Sequence, residues 1–235
     1  MKGFRFISTK YVDQLAGRLI PILAIFALIL SVYGSVGGLC LAPADYQQGD
    51  AFRIIYVHVP SAFLSLFIYL MMGFSAAIGL IFRIKLFDML ISGSVFLGAW
   101  FTFLALVTGC IWAKPMWGAW WVWDARLTSE LILLFLYLGV VALRSAISER
   151  RIAVQASAIL LMLGLMNLPI IHYSVYWWNT LHQGSSIRLL GPSLISPSML
   201  YPLLAMIVAF IAYYLLIVLL HVRCEMLARE LCVIN

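Results

Sequence analysis

A tryptophan-rich segment near the middle of the chain has the clearest potential for chemistry. Residues 117–124 read WGAWWVWD. If this segment were helical, its indoles and its carboxylate would share one face, because Trp117, Trp120, Trp121 and Asp124 stand at i, i+3, i+4 and i+7. Indole rings stack on a flat apolar ligand and donate an N–H at its rim, or they surround a cation. The spacing alone leaves both kinds of ligand open.

Histidines on either side of this segment narrow the choice of ligand. His58 closely precedes Pro60, a residue suited to the first turn of a helix, while His172 and His182 frame the start of a later connecting segment. Neutral imidazole is a common ligand of haem iron, and histidines from two separate loops can bind opposite faces of one porphyrin. A single histidine at an interface is more often an ordinary polar residue, so the spacing permits a haem site without requiring one. His172 directly follows an apolar run and is expected to form a hydrogen bond within the bundle.

The composition of the chain restricts the class of protein that must position these residues. Of the 235 residues, 65% are hydrophobic and only 10% are charged, and the mean hydropathy is +1.06. A soluble domain is about 25% charged. The composition therefore excludes a cytosolic enzyme, a disordered chain and a nucleic-acid-binding protein, and it indicates an integral membrane protein.

Six stretches have the length and hydropathy of transmembrane helices, which need roughly 20 predominantly apolar residues each. They cover approximately residues 19–41, 60–82, 87–112, 127–146, 153–171 and 199–222. The predicted fold is an all-α membrane protein in which residues 1–235 form a single six-span domain. Its longer connections all fall on one side of the membrane: residues 42–59, 113–126 and 172–198.

Lysine and arginine are distributed unequally between the two sides. Of the 15 such residues, all but four fall on the side of the termini; the exceptions are Arg53, Lys114, Arg126 and Arg188. The positive-inside rule then places both termini in the cytoplasm. All tryptophans except Trp100 lie at or in the outer connections, whereas interfacial anchoring would distribute them over both sides. We therefore expect the binding site on the outer side.

The charged residues near the tryptophans each admit two interpretations. Asp124 can accept a hydrogen bond from an indole or from a ligating histidine, or it can cap the next helix. Arg126 can pair with the propionates of a haem or reach lipid headgroups, and headgroups are the expected contact of Arg53 and Lys114. Glu130 follows Arg126 at a helical spacing that would let the two charges neutralise each other.

Several of these segments together resemble a known family. The tryptophan-rich residues are similar to the "WWD" signature of haem-handling proteins of cytochrome c biogenesis. The flanking segments resemble the haem exporter protein C family, also called cytochrome c maturation protein C. The resemblance rests on WGAWWVWDARLTS (117–129), APADYQQG (42–49), RIIYVHVP (53–60), NLPIIHYSV (167–175) and WWNTLHQG (177–184).

This resemblance implies a site as well as a function. In the family the tryptophan-rich segment, residues 113–126 here, binds haem at the periplasmic face of the bacterial inner membrane. Histidines at the positions of His58 and His182 serve as axial ligands of the iron. The remaining residues expected at the haem are Trp117, Trp120, Trp121, Trp123, Asp124 and Arg126.

The same resemblance implies a cargo and partners. The cargo would be haem b, bound without a covalent link, since the sequence has no Cys-x-x-Cys-His attachment motif. The family presents haem to a membrane-anchored haem chaperone, maturation protein E. It works with an ABC transporter made of maturation proteins A and B and with a small membrane protein, maturation protein D. The expected role is therefore haem binding and delivery, without an enzymatic activity.

Two other classes of function compete with haem delivery. A secondary carrier could cage a small solute among the outer indoles, but it would need broken helices or charges at the membrane midplane. A quinone-linked or ligase-type haem enzyme would need a second buried histidine pair or attachment chemistry for an apocytochrome. The sequence offers neither set of features clearly, so haem delivery is the preferred hypothesis.

Overall fold

The structure is a computed structural model that describes residues 9–178, 180–182 and 195–234, with side chains described for residues 13–178, 180–182 and 195–228. Arg188 lies outside these ranges, as do Asn179, Gln183 and Gly184 of the resembling segments. The helices are α1 (Thr9–Ser35), α2 (Ile55–Phe82), α3 (Lys85–Trp117), α4 (Ala125–Ala146), α5 (Arg150–Gly164), α6 (Asn167–Trp177) and α7 (Pro197–Ile234).

The predicted all-α fold with six spans is confirmed. Six helical stretches are long and apolar enough to cross a membrane, and the described ranges contain no strand. A π-helical turn, Val36–Leu41, extends α1, and a 3-10 helix, Asp50–Ile54, leads directly into α2. The second span therefore begins at Ile55, not at Pro60 as predicted, and the proline lies inside the helix.

The fifth span also differs from the prediction, because it consists of two helices. α5 ends at Gly164 and α6 begins at Asn167. Because Pro169 has no amide hydrogen to donate to the carbonyl of Leu165, it interrupts a continuous helix. Proline is well tolerated in the first turn of a helix, where it stands in α6. The side-chain amide of Asn167 donates to the backbone carbonyl of Ser129 at 2.8 Å, so the start of α6 is attached to α4.

The core is formed where α2, α3, α4 and α5 pack together. Leu64, Tyr69, Leu133, Tyr137 and Leu161 are completely buried there. The hydroxyl group of Tyr137 donates to the backbone carbonyl of Ser65 in α2 at 2.7 Å, so even this aromatic side chain has its polar atom satisfied. α1 packs beside α7 and exposes most of its apolar side chains, as expected of a helix in contact with lipid.

The two ends of the bundle differ in chemistry. At one end, here called the basic end, Arg223 pairs with Asp13 and Arg144 with Asp88, both at 2.7 Å. Arg150 reaches both Asp88 and Glu225 at 3.0 Å. The opposite end, here called the tryptophan end, carries the start of α2, the end of α3 and the start of α4. This grouping agrees with the predicted alternation of the connections; the side of the membrane that each end faces stays a prediction.

Gly98 of α3 allows the closest approach to α4, and replacing it with alanine is expected to destabilise the bundle. An added Cβ atom would collide with the ring and the hydroxyl of Tyr137, a side chain that burial and its bond to Ser65 hold in place. Overpacking of this kind costs about 1–3 kcal/mol. We therefore expect Gly98→Ala to lower the midpoint of thermal unfolding in mild detergent.

Gly79→Ala is the matched control for this prediction. A Cβ atom at Gly79 would lie 3.4 Å from the Cβ atom of Phe87, an ordinary contact, and alanine has the higher helix propensity. Its unfolding midpoint should equal or exceed that of the unchanged protein. Equal midpoints for the two variants would contradict the packing argument.

Candidate functional site

His58 lies in the first turn of α2, and residues of α3 hold its imidazole. Its Nδ1 atom lies 3.0 Å from the Oγ1 atom of Thr108, and its ring packs edge-on against Trp112 with ring centroids 5.6 Å apart. A Cβ atom added to Gly109 would lie 3.2 Å from the His58 Cε1 atom, so this glycine lets the imidazole approach α3 closely. The expectation that His58 belongs to a loop is wrong, because the 3-10 helix runs straight into α2.

The connection between α1 and α2 supports Trp112 from the other side. The indole Nε1 of Trp112 donates to the side-chain oxygen of Gln48 at 2.9 Å, and Phe52 packs edge-on against the same indole. Gln48 is itself positioned by a hydrogen bond from its backbone amide to the Asp45 carboxylate at 2.8 Å. The orientation of Trp112, and through it the space beside His58, is therefore set by two separate elements.

His182 follows α6 and is held by the residue that begins α4. Its Nδ1 atom lies 2.9 Å from the Oδ2 atom of Asp124, and its ring packs edge-on against Trp117 at 4.8 Å between centroids. Burial lowers the pKa of His182 below its usual value, and the positive charge of Arg126 adds to the effect, although the Asp124 carboxylate acts against it. The neutral imidazole, the form that binds metal ions, is thereby favoured.

Asp124 has both of the roles considered for it from the sequence. Its Oδ1 atom accepts the backbone amide hydrogen of Leu127 at 2.8 Å and so caps the start of α4. Its Oδ2 atom accepts the Nδ1 hydrogen of His182. The aspartate side chain is only 7% exposed, and that of His182 is 19% exposed. One carboxylate therefore joins the end of the tryptophan-rich segment to the histidine.

The helical arrangement considered for the tryptophans is wrong. α3 ends at Trp117, and Gly118 adopts a left-handed conformation with φ of 76° while its amide donates to the Lys114 carbonyl at 3.0 Å. This is the common way in which glycine ends a helix. The chain then stays non-helical up to the cap at Asp124. The three indoles therefore do not share a helical face.

The four candidate tryptophans have different environments. Trp117 is partly buried against His182, whereas Trp120 and Trp123 are 58% and 75% exposed. Trp121 packs edge-on against Trp123 with centroids 5.3 Å apart. The Nε1 atom of Trp121 is buried and has no hydrogen-bond partner among the described residues. A buried donor without a partner is costly, so this indole is suited to an acceptor from a bound molecule.

The cations predicted near the site differ in how far they are already satisfied. Arg53 pairs with Asp50 at 2.9 Å and bonds the Gly38 carbonyl, and Lys114 donates to the Gly118 carbonyl at 2.9 Å. Arg126 forms no ion pair with the described residues, although it lies close enough to Glu130, Asp124 and Tyr176 for electrostatic interaction. Among the described cations of this end, Arg126 is therefore the one without an ion-pair or hydrogen-bond partner.

The expected neutralisation between Arg126 and Glu130 is not a direct ion pair. Glu130 is buried and accepts a hydrogen bond from the Ser65 hydroxyl at 2.7 Å. It interacts with Arg126 electrostatically without reaching ion-pair distance. Glu130 is instead directed toward Ser65 of α2.

The two candidate iron ligands are brought to the same region. His58 interacts electrostatically with both His182 and Arg126, although the histidines lie on elements far apart in the chain. Neither Nε2 atom has a hydrogen-bond partner within the described ranges; the hydrogen bond of each histidine is made through Nδ1. Among the described residues, both rings therefore leave the same nitrogen without a partner.

His172 does not have the role expected of it. The sequence predicted a hydrogen bond within the bundle, but the side chain is exposed on α6 and its ring packs edge-on against Tyr173 at 4.8 Å. No hydrogen bond of His172 is found with the described part of the chain. The aromatic side chains beyond it, Trp177 and Trp178, are also about half exposed, since α6 continues past the predicted end of the span.

Three residues of this region were missed from the sequence. Thr108 forms a hydrogen bond with His58 and Gln48 with Trp112, and Tyr176 lies close enough to Arg126 to interact electrostatically. Thr108 could have been recognised from its position, one helical turn before Trp112 at the outer end of a span. Gln48 and Tyr176 lie within or beside the segments that carry the resemblance, but their contacts depend on loop geometry that hydropathy does not describe.

Comparison with known proteins identifies the family. The family model described as "Heme exporter protein C" matches residues 3–233. The chain belongs to this family. A heme exporter protein C of Haemophilus influenzae is 50% identical over 223 residues, which cover 95% of this chain and 90% of the relative. That of Escherichia coli K12 is 50% identical over 217 residues, 92% of this chain and 87% of the relative.

Similarity extends to plant mitochondrial members of the family. A putative cytochrome c biosynthesis ccmC-like mitochondrial protein of Marchantia polymorpha is 46% identical over 185 residues, covering 79% of this chain and 77% of the relative. Like the bacterial matches, this one covers most of both chains. The chain is therefore a multi-pass membrane protein of the heme exporter protein C family.

The two roles of Asp124 can be separated by substitution. Asp124→Ala removes the cap of α4 and the acceptor of His182, so we expect the free energy of unfolding to fall by about 1 kcal/mol from the lost cap alone. Asp124→Asn keeps a good capping side chain and should retain nearly the full stability. Thermal unfolding in mild detergent measures the difference. Equal stability of the two variants would contradict the capping role.

Proposed function

We propose that this protein binds haem at the tryptophan end, with His58 and His182 as the two axial ligands of the iron. The proposal rests mainly on one observation: both histidines form their hydrogen bond through Nδ1, and neither Nε2 has a partner among the described residues. Nε2 is the lone-pair nitrogen when Nδ1 carries the hydrogen. Ligating histidines commonly have such an oriented second nitrogen.

The tryptophans support a large flat ligand over a small solute. Trp120 and Trp123 are exposed beyond the helix ends, and covering ~100 Å² of apolar surface is worth roughly 2.5 kcal/mol at about 25 cal/mol per Å². The buried Nε1 of Trp121 adds a hydrogen-bond donor without a described partner. Indoles that combine an apolar ring with a donor match the face and the polar rim of a porphyrin.

Arg126 is the residue we propose for the haem propionates. It lies at the start of α4, forms no ion pair with the described residues, and has the hydroxyl-bearing Tyr176 nearby. Guanidinium groups bind carboxylates through charge-assisted hydrogen bonds, often in pairs. The other cations described at this end, Arg53 and Lys114, already have partners within the protein.

The proposed role is delivery of haem as a cargo during cytochrome c maturation. Relatives of this chain are called heme exporter protein C and a cytochrome c biosynthesis protein. We infer that residues 1–235 form one six-span domain of the bacterial inner membrane, with segment 113–126 and both histidines on the periplasmic side. The distribution of lysine and arginine supports this orientation.

We further propose that the haem is haem b, held without a covalent bond and passed to a membrane-anchored chaperone, maturation protein E. An ABC transporter of maturation proteins A and B, together with the small membrane protein called maturation protein D, would complete the assembly. The chain has no Cys-x-x-Cys-His motif that would retain haem covalently. Ligation and stacking can be reversed, which suits a protein that gives its ligand away and carries out no enzymatic step on it.

The alternative of a secondary carrier is less well supported. The broken fifth span and the buried Glu130 are features that a carrier would use. However, the backbone amides at the break bond locally, Leu165 to Met162 at 3.3 Å and Met166 to Leu163 at 3.2 Å. Glu130 has its own partner in Ser65. The amides at the break and the Oε1 atom of Glu130 are therefore already engaged.

Replacing either proposed ligand tests the haem site directly. Loss of a residue that only supports a metal ligand weakens binding by roughly 10–100-fold. His58→Ala and His182→Ala remove the proposed ligands themselves, so we expect each to weaken haem binding by at least that much. The absorbance spectrum of protein purified from a haem-replete host, followed by haem titration, provides the measurement. His221→Ala, at the basic end, is the control and should bind normally. Full binding by both ligand variants would exclude the proposed site.

The indoles should contribute in a graded manner. We expect each of Trp117→Ala, Trp120→Ala and Trp121→Ala to weaken haem binding by about 1.5 kcal/mol, roughly tenfold, because several rings share the contact. Trp100→Ala, on the exposed surface of α3 within the span, is the matched control. Unchanged haem affinity after replacement of all three tryptophans would refute their role, as measured by the same titration.

A further inference from the structure

We propose that Thr108 is a positioning residue that fixes the tautomer of His58, so that the Nε2 atom carries the lone pair. The inference rests on the proposed function for its use of that lone pair, but the tautomer itself is a property of the protein without haem. Thr108 belongs to α3 and His58 to α2, and their side chains meet at the tryptophan end. No motif or spacing in the sequence connects the two residues.

The hydrogen of the Thr108 hydroxyl is already engaged. Its Oγ1 atom lies 2.6 Å from the carbonyl oxygen of Leu104 and 3.2 Å from that of Ala105. A carbonyl oxygen can only accept, and a hydroxyl has one hydrogen to donate. Two oxygen atoms at 2.6 Å need that hydrogen between them. Toward the His58 Nδ1 atom, 3.0 Å away, Thr108 can therefore only accept.

The consequence for His58 follows from the chemistry of imidazole. A neutral imidazole has one N–H and one lone pair, and the hydrogen-bond partner of one nitrogen decides which is which. An acceptor at Nδ1 requires the hydrogen on Nδ1. The Thr108 acceptor therefore leaves the lone pair of His58 on Nε2.

The packing around His58 keeps the ring in the orientation that this hydrogen bond needs. Trp112 borders the ring edge-on, and the missing side chain of Gly109 allows the Cε1 side of the ring to approach α3. Thr108 itself is only 8% exposed, so water competes poorly for its lone pair. The hydroxyl therefore selects the tautomer as well as the position of the imidazole.

The tautomer can be measured in the haem-free protein. We expect the ¹⁵N NMR spectrum of histidine-labelled protein in detergent to show His58 with a protonated Nδ1, the signals being assigned by their loss in His58→Ala. Thr108→Ser keeps the acceptor and should give the same spectrum. Thr108→Val has nearly the same shape without the hydroxyl, and its His58 should shift toward the Nε2-protonated form.

Thr102→Val is the matched control. Thr102 lies on the same helix, is fully buried and donates to the Gly98 carbonyl at 2.7 Å, but it makes no described contact with a histidine. Thr102→Val therefore also removes a buried, helix-bonded hydroxyl, but one without a described contact to His58. An unchanged His58 tautomer in Thr102→Val together with a changed one in Thr108→Val would support the proposal. An Nε2-protonated His58 in the unchanged protein, or identical spectra for both valine variants, would overturn it.

Haem titration provides the second readout. We expect Thr108→Val to weaken haem binding by about tenfold, at the lower end of what loss of a partner to a ligating histidine costs, and Thr108→Ser and Thr102→Val to bind normally. Normal haem affinity of Thr108→Val would overturn the proposal even if the tautomer changed. If the unchanged protein bound no haem, the proposed function would fail, and the NMR comparison would still decide the role of Thr108.

Discussion

The carboxylate of Asp124 is the contact on which the arrangement of the tryptophan end depends. One oxygen begins α4 by capping its first turn, and the other holds the Nδ1 hydrogen of His182. The position of the histidine is therefore tied to a helix end, although His182 follows α6 in the chain. The non-helical segment 118–124 is fixed at its two ends, by the glycine turn after α3 and by this cap. The exposed tryptophans therefore belong to a short connection whose two ends are fixed.

The two histidines are oriented by different chemical groups. A threonine hydroxyl accepts from His58, whereas a carboxylate accepts from His182. Hydrogen bonds to a charged acceptor are stronger, and they raise the basicity of the ligating nitrogen. His182 would therefore be the stronger donor to iron, and His58 the more easily replaced one. In the proposed role, unequal ligands would let the protein hold haem firmly and still release it, because release could begin at one side.

The sequence predicted the general architecture well because hydropathy dominates the energetics of a spanning helix. The predictions were wrong where local backbone geometry determines where a helix begins or ends. Pro60 suggested a helix start, but a preceding 3-10 helix extends α2 to Ile55. The tryptophan spacing suggested a helical face, but Gly118 ends α3 in a left-handed conformation. Thr108 was missed because a hydroxyl in an apolar helix usually bonds only to its own backbone; its contact with His58 comes from the packing of α2 against α3.

The difference between the two ends of the bundle supports the proposal that binding is confined to one of them. At the basic end, charged side chains form ion pairs with one another: Asp88 alone meets two arginines, although the buried Arg144 Nε has no hydrogen-bond partner among the described residues. At the tryptophan end, Arg126 makes no ion pair with the described residues, the Trp121 Nε1 has no described partner, and large indoles stay exposed. Unsatisfied polar groups and exposed aromatic surface both cost free energy in the protein without its ligand. A ligand that is flat, apolar, anionic at its rim and able to bind two imidazoles removes all of these costs together, and haem has this combination of properties.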